Sequence, residues 1–188
     1  EYAKKDHRVK VFTQDNQYAG TARNLGLTKA TGEYVMFLDS DDLWLPDKLE
    51  IQIGFMESHP DIMWSHTCYE TFGCEEEKVV NTTHFNGIGF PDCFISCPIA
   101  TPCVITRKKI FDENDFLRFS ETMRFGQDFY LWVLLSSMYE IGVINGVYSK
   151  VRMRGGNAAK RAYVMLKSKS KFMLEQKNAN KKRKKQNA

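Results

Sequence analysis

No stretch of this chain approaches the roughly 18 consecutive apolar residues of a membrane-spanning helix, so none of its segments reads as a membrane span. The first residues, Glu1-Tyr2-Ala3-Lys4-Lys5-Asp6, contain no apolar core of a secretory leader, and none is expected. Cys-x-x-Cys pairs are missing as well. The five cysteines (Cys68, Cys74, Cys93, Cys97, Cys103) are odd in number, and the four histidines are scattered. That pattern disfavours a zinc site built on Cys93, Cys97 and a histidine, and it favours free thiols in a reducing compartment. Internal repeats are absent. So is any acid after Glu175, which leaves Lys177, Lys181, Lys182, Arg183, Lys184 and Lys185 as an unbalanced basic end. Without those six charges the net charge of +4 becomes −2, so the basicity belongs to a tail and the body lacks a nucleic-acid footprint.

What is present is one domain's worth of chain, 188 residues at 43% apolar and 13% aromatic. Its organising stretch is Tyr34-Val35-Met36-Phe37-Leu38, preceded by Gly32 and followed by Asp39, Asp41 and Asp42. A continuous apolar run with β-branched and aromatic residues suits a strand buried on both faces, as in a parallel sheet. Carboxylates leaving such a strand stand where α/β sheets bind ligands. They repel one another, and a hard divalent cation sharing substrate phosphates would offset the repulsion. The other reading is an acidic turn with Asp42 capping the next helix. Spacing by itself leaves both open.

Further along, Thr21 is a plausible cap for a helix over 22–30, with Arg23 and Asn24 in its first turn. An arginine there opposes the helix dipole unless an anion is near, because helix N-termini and arginine forks both match phosphate. A solvated arginine is the alternative. A short strand is expected over 9–12. A helix with Pro46 at its first position should run to about Ser58 and bury Leu49, Ile53 and Met56. A strand is expected over 62–66, a polar loop over 70–90, a strand near 99–107, a short helix over 108–111 and an apolar helix opened by Asp128 and running to Met138. Extended chain over 141–148 and a helical stretch over 158–176 follow. The expected division is 1–157 and 158–188.

Three segments in order, Ala22-Arg23-Asn24-Leu25-Gly26, Ala30-Thr31-Gly32-Glu33-Tyr34-Val35 and Phe37-Leu38-Asp39-Ser40-Asp41-Asp42, resemble the core signature of family 2 glycosyltransferases. The resemblance covers about residues 1–150. It implies the GT-A fold, a Rossmann-like mixed α/β sheet flanked by helices. It also implies that two strands precede this chain, so that the domain here is N-terminally truncated. The implied reaction moves a sugar from a nucleoside-diphosphate donor to an acceptor hydroxyl with inversion, in surface polysaccharide or glycolipid synthesis.

By that resemblance Asp39-Ser40-Asp41 is an Asp-x-Asp motif. Asp41 would hold Mn2+ or Mg2+ directly, and Asp39 would help through the ribose or a metal-bound water. Arg23 and Asn24 would lie by the diphosphate, and Arg154 would belong to a closing loop at 152–157. Asp128 would be the general base, with Gln127 where the family has another acid. Ile99-Ala100-Thr101-Pro102-Cys103 resembles a family Thr-Pro-Ser step. The implied partners are a nucleotide sugar and a sugar or lipid-linked acceptor. The implied place is cytoplasmic, with residues 177–188 touching an anionic inner membrane face. Two rival classes remain: a non-catalytic or truncated module of the same kind, and a nucleic-acid binder acting through the basic tail.

Overall fold

The computed structural model describes residues 1–153 together with Lys169, Ser170 and Met173. Its strands are β1 (Tyr34–Met36), β2 (Leu43–Trp44), β3 (Trp64–Phe72), β4 (Val79–Val80), β5 (Val104–Arg107) and β6 (Ile141–Arg152). They form one sheet in the order β1-β5-β3-β6-β2, with β4 paired to β3 off that path. β3 and β6 run parallel, and the other pairings are antiparallel. Register shifts around Cys68 interrupt the β3–β6 ladder and bend it, since an irregular residue increases local twist. The result is a curled mixed α/β sheet flanked by helices α1 (Tyr2–Lys5), α2 (Tyr18–Lys29), α3 (Lys48–Ser58), α4 (Asp92–Ile95), α5 (Lys109–Glu113) and α6 (Gln127–Ser136).

The organising strand is therefore not a parallel one. β1 pairs antiparallel with β5, Val35 opposite Thr106, and ends at Met36. Val35 and Phe37 are buried while Leu38 is exposed, so the apolar run serves one face of the strand and the entry to a turn. Phe37 packs edge-on to Phe119 with centroids 5.0 Å apart, and Phe119 packs on Trp132 of α6. Trp132 in turn stacks with Trp64 of β3. α6 buries Phe129 and everything from Leu131 to Ser136, which makes it the central helix of the core.

Other expectations shift. The residues at 9–12 form no strand and are exposed. α2 begins at Tyr18, so Thr21 lies inside it and its hydroxyl donates to Gln17 O at 2.8 Å instead of capping. α3 begins after Asp47, which puts Pro46 in the preceding turn. Its buried face carries Lys48, Gln52 and Met56, and Leu49 is exposed. The expected polar loop at 70–90 contains the end of β3 and all of β4. The expected helix at 158–176 and most of that segment lie outside the described residues.

Gly20 is dictated by packing. A Cβ there would stand 2.5 Å from Ser120 O, so only glycine lets α2 sit against the segment that leads to α6.

Candidate active site

The chain leaves β1 through Phe37 and Leu38 and turns at once, with Asp42 N donating to Asp39 O at 3.0 Å. Asp39, Asp41 and Asp42 thus share a single tight turn. Arg23, from the second turn of α2, reaches into it and donates to both oxygens of Asp39, at 2.6 and 2.8 Å. Its guanidinium also lies over the Phe119 ring, 5.3 Å from the centroid. The partly buried arginine is therefore neutralised by a half-exposed carboxylate, as a largely dehydrated charge requires. Asp42 accepts from Arg152 N at 2.8 Å, and Arg152 Nε donates to Asp41 O at 3.2 Å, so β6 pins the far side of the turn. Asp42 caps no helix. Burial raises its carboxyl above the ordinary carboxylate range, and the neighbouring charges of Asp39 and Asp41 add to the rise.

Asp128 comes from a different part of the chain. Gly126, at φ 73°, turns the backbone into α6, and Asp128 occupies its first turn. Its Oδ1 accepts from Phe129 N at 2.9 Å and its Oδ2 from the Thr101 hydroxyl at 3.1 Å. Thr101 opens a single 3-10 turn, Thr101–Cys103, that acts as a bracket. Pro102 O accepts from Trp44 Nε1 at 2.9 Å and from the Ser149 hydroxyl at 3.1 Å. Cys103 O accepts from Gln52 Nε2 at 3.0 Å. Trp44 lies two residues past Asp42, and its strand β2 pairs with β6 at Ser149. One short turn thus joins the carboxylate turn, β6 and Asp128.

Of the residues singled out in the sequence, Arg23, Asp39 and Asp41 meet at the first turn and Asp128 at the bracket. Asn24 is different. It is buried, its amide donates to Phe119 O at 2.9 Å and to Glu121 Oε1 at 3.0 Å, and it accepts from Phe119 N at 3.0 Å. These bonds tie α2 to the segment before α6. Arg154 lies outside the described residues. Sequence reasoning missed Thr101 as the partner of Asp128, and Trp44 and Arg152 as ties. The Thr101-Pro102 step was a visible signal, but the pairing joins residues 27 apart and needs the fold.

Among the described residues no group of three or more His, Cys, Asp or Glu side chains is arranged to enclose a metal ion. The turn nevertheless suits a hard cation that brings ligands of its own. Its donors are carboxylate oxygens, and their mutual repulsion at Asp42 is what a cation would relieve. No helix among the described residues is long and apolar enough to cross a membrane.

The curled mixed sheet with its flanking helices is the GT-A architecture. The chain superposes on S. aureus TarS residues 1–349 in complex with UDP-GlcNAc with a TM-score of 0.61, at 21% identity, over 80% of this chain and 44% of that one. Residues 1–126 match the family model described as glycosyl transferase family 2, and the chain belongs to that family. An uncharacterized glycosyltransferase of Rickettsia bellii is 41% identical over 158 residues, 83% of this chain and 22% of that protein. The UDP-Glc:alpha-D-GlcNAc-diphosphoundecaprenol beta-1,3-glucosyltransferase WfgD of Escherichia coli is 28% identical over 174 residues, covering 86% and 62%. The chain spans about a quarter or less of the length of the Rickettsia relatives it matches.

Proposed function

We propose that this chain holds the donor and proton-transfer residues of an inverting glycosyltransferase acting on a nucleoside-diphosphate sugar. One observation carries the reading: the turn Thr101–Cys103 holds Asp128 through Thr101 and, through Pro102, Trp44, which lies two residues past the 39–42 carboxylates. Direct displacement needs both groups around one sugar. The acceptor oxygen attacks the anomeric carbon from the face opposite the diphosphate, the bond to the diphosphate breaks, and the acceptor proton must go to a base. Asp128 takes that proton, and the Thr101 hydroxyl fixes the orientation of its carboxylate. Asp41, assisted by Asp39, would hold Mn2+ or Mg2+, whose positive charge offsets charge on the departing diphosphate. Arg23 adds a positive group beside that position, kept in place by Asp39 and Phe119. Asn24 enters as a brace of α2 more than as a ligand.

A UDP-linked donor and a lipid-diphosphate acceptor are carried over from the TarS complex and from the name of WfgD. Residues 177–188 would add contact with an anionic leaflet at the cytoplasmic face, and residues 1–157 would be the transferase unit.

Calorimetry of UDP with and without Mn2+ tests the donor half. UDP should bind more tightly with the ion, and Asp41→Ala should weaken UDP–Mn2+ binding by about tenfold or more. Equal affinity in parent and variant would remove Asp41 from the site.

A further inference from the structure

Two fully buried polar residues of α3, Lys48 and Gln52, take no part in the donor and proton-transfer steps above. Burying an ammonium is costly, and an apolar side chain of similar length avoids the cost. What Lys48 contributes is direction. Its Nζ donates to Gln52 Oε1 and lies 5.7 Å from the centroid of the Trp44 ring. An ammonium only donates, a carbonyl only accepts, and a primary amide has one end of each kind. With Oε1 turned to Lys48, Gln52 presents Nε2 to Cys103 O, 3.0 Å away. Turned the other way, the amide would set an acceptor against that carbonyl and a donor against the ammonium. Lys48 thus decides which end of Gln52 meets the turn.

That turn has little slack. Thr101, Pro102 and Cys103 are all buried, and Cys103 N donates back to Ala100 O at 3.0 Å. Side chains from three elements hold its carbonyls: Trp44 of β2 and Ser149 of β6 on Pro102 O, and Gln52 of α3 on Cys103 O. Two residues before Cys103, the Thr101 hydroxyl donates to Asp128 Oδ2 at 3.1 Å. We infer that Lys48 and Gln52 are positioning residues for Asp128: they fix the turn from the α3 side, and with it the hydroxyl that orients the carboxylate. The inference rests on the glycosyl-transfer reading in one respect, that Asp128 receives the acceptor proton.

Lys48→Met and Gln52→Glu test it, each alone and combined with Asp128→Asn. Methionine follows the lysine stem without its charge. Glutamate keeps the shape of glutamine and pairs with Lys48, but its carboxylate cannot donate to Cys103 O. Donor turnover should fall roughly five-fold in each single variant, the effect of one hydrogen bond, with UDP–Mn2+ affinity as in the parent. In the Asp128→Asn background neither change should cost more, because both act through that carboxylate. A packing defect would lower turnover there as well. Crystal structures give a readout that needs no turnover: the Thr101–Asp128 hydrogen bond should be present in the parent and broken in Gln52→Glu. Parent turnover in both single variants, losses that persist beside Asp128→Asn, or an unbroken bond in Gln52→Glu would each overturn the inference. Should the parent consume no donor, a bond broken in Gln52→Glu keeps the positioning pair and removes the transferase reading alone.

Discussion

His66 sets an acid limit on this fold. It lies on the central strand β3, fully buried, with Nδ1 3.1 Å from the Thr82 hydroxyl and no partner for Nε2 among the described residues. Burial pushes the imidazole down to about 4, from an ordinary value of 6.5. The folded state thus keeps His66 neutral in a range where the unfolded chain takes up a proton. Stability contributed by the neutral ring is complete above pH 6.5 and is lost as pH falls towards about 4, on the order of 3 kcal/mol. Urea unfolding at pH 7 and pH 4.5 should show a clear loss in the parent and a smaller one in His66→Gln. Parallel losses would mean that other groups set the acid limit. Nothing in the sequence marked this histidine, because its burial arises from pairing between β3, β5 and β6.

Helix α3 is where the apolar pattern misled. Leu49, Ile53 and Met56 suggested a buried face, yet Lys48 and Gln52 line the interior beside Met56, turned inward by the Trp44–Pro102–Cys103 contacts. Lys48 Nζ donates to Gln52 Oε1 and lies 5.7 Å from the centroid of the Trp44 ring. Burial lowers its ammonium to about 8. Between about 8 and 10.5 the unfolded chain holds a proton that the folded one has released, so this group makes the protein more stable as pH rises through that window. Cys103 and Tyr69, raised by burial to about 11 and about 12, work in the opposite direction, so the comparison must be with a variant. The parent should gain on Lys48→Met by on the order of 3 kcal/mol across that window. Unfolding curves whose difference does not change with pH would contradict a buried ammonium.

β1 makes a related point. Its composition announced a strand, and the strand is there, although it buries one face and not two. Its direction was not legible, because Tyr34 to Leu38 cannot reveal that the neighbour is β5 and that this neighbour runs antiparallel. The clustering of Asp39, Asp41 and Asp42 in one turn was readable because it follows from one local junction. The Thr101 contact to Asp128 was not, since it depends on distant segments meeting.

Over the whole molecule, the sequence segregates charge into an acidic body and a basic end. Each lysine or arginine near an anionic leaflet contributes about 1 kcal/mol, so the six at 177–185 would suffice for the reversible attachment proposed above. Co-sedimentation with phosphatidylglycerol vesicles should fall at high salt and on deletion of residues 177–188. Binding that survives the deletion would assign no membrane role to the tail.

The central claim is that the 39–42 turn and Asp128 act on one sugar. The most direct measurement is turnover of a panel of nucleotide sugars, with acceptor glycosides, by the parent and by Asp128→Asn, in Mn2+ and in EDTA. The parent should consume at least one donor only with the metal. Asp128→Asn should bind that donor as tightly while turning over about 100- to 10,000-fold more slowly, the usual effect of removing a general base. Undiminished turnover by Asp128→Asn would contradict the account and leave that carboxylate as an ornament of the first turn of α6.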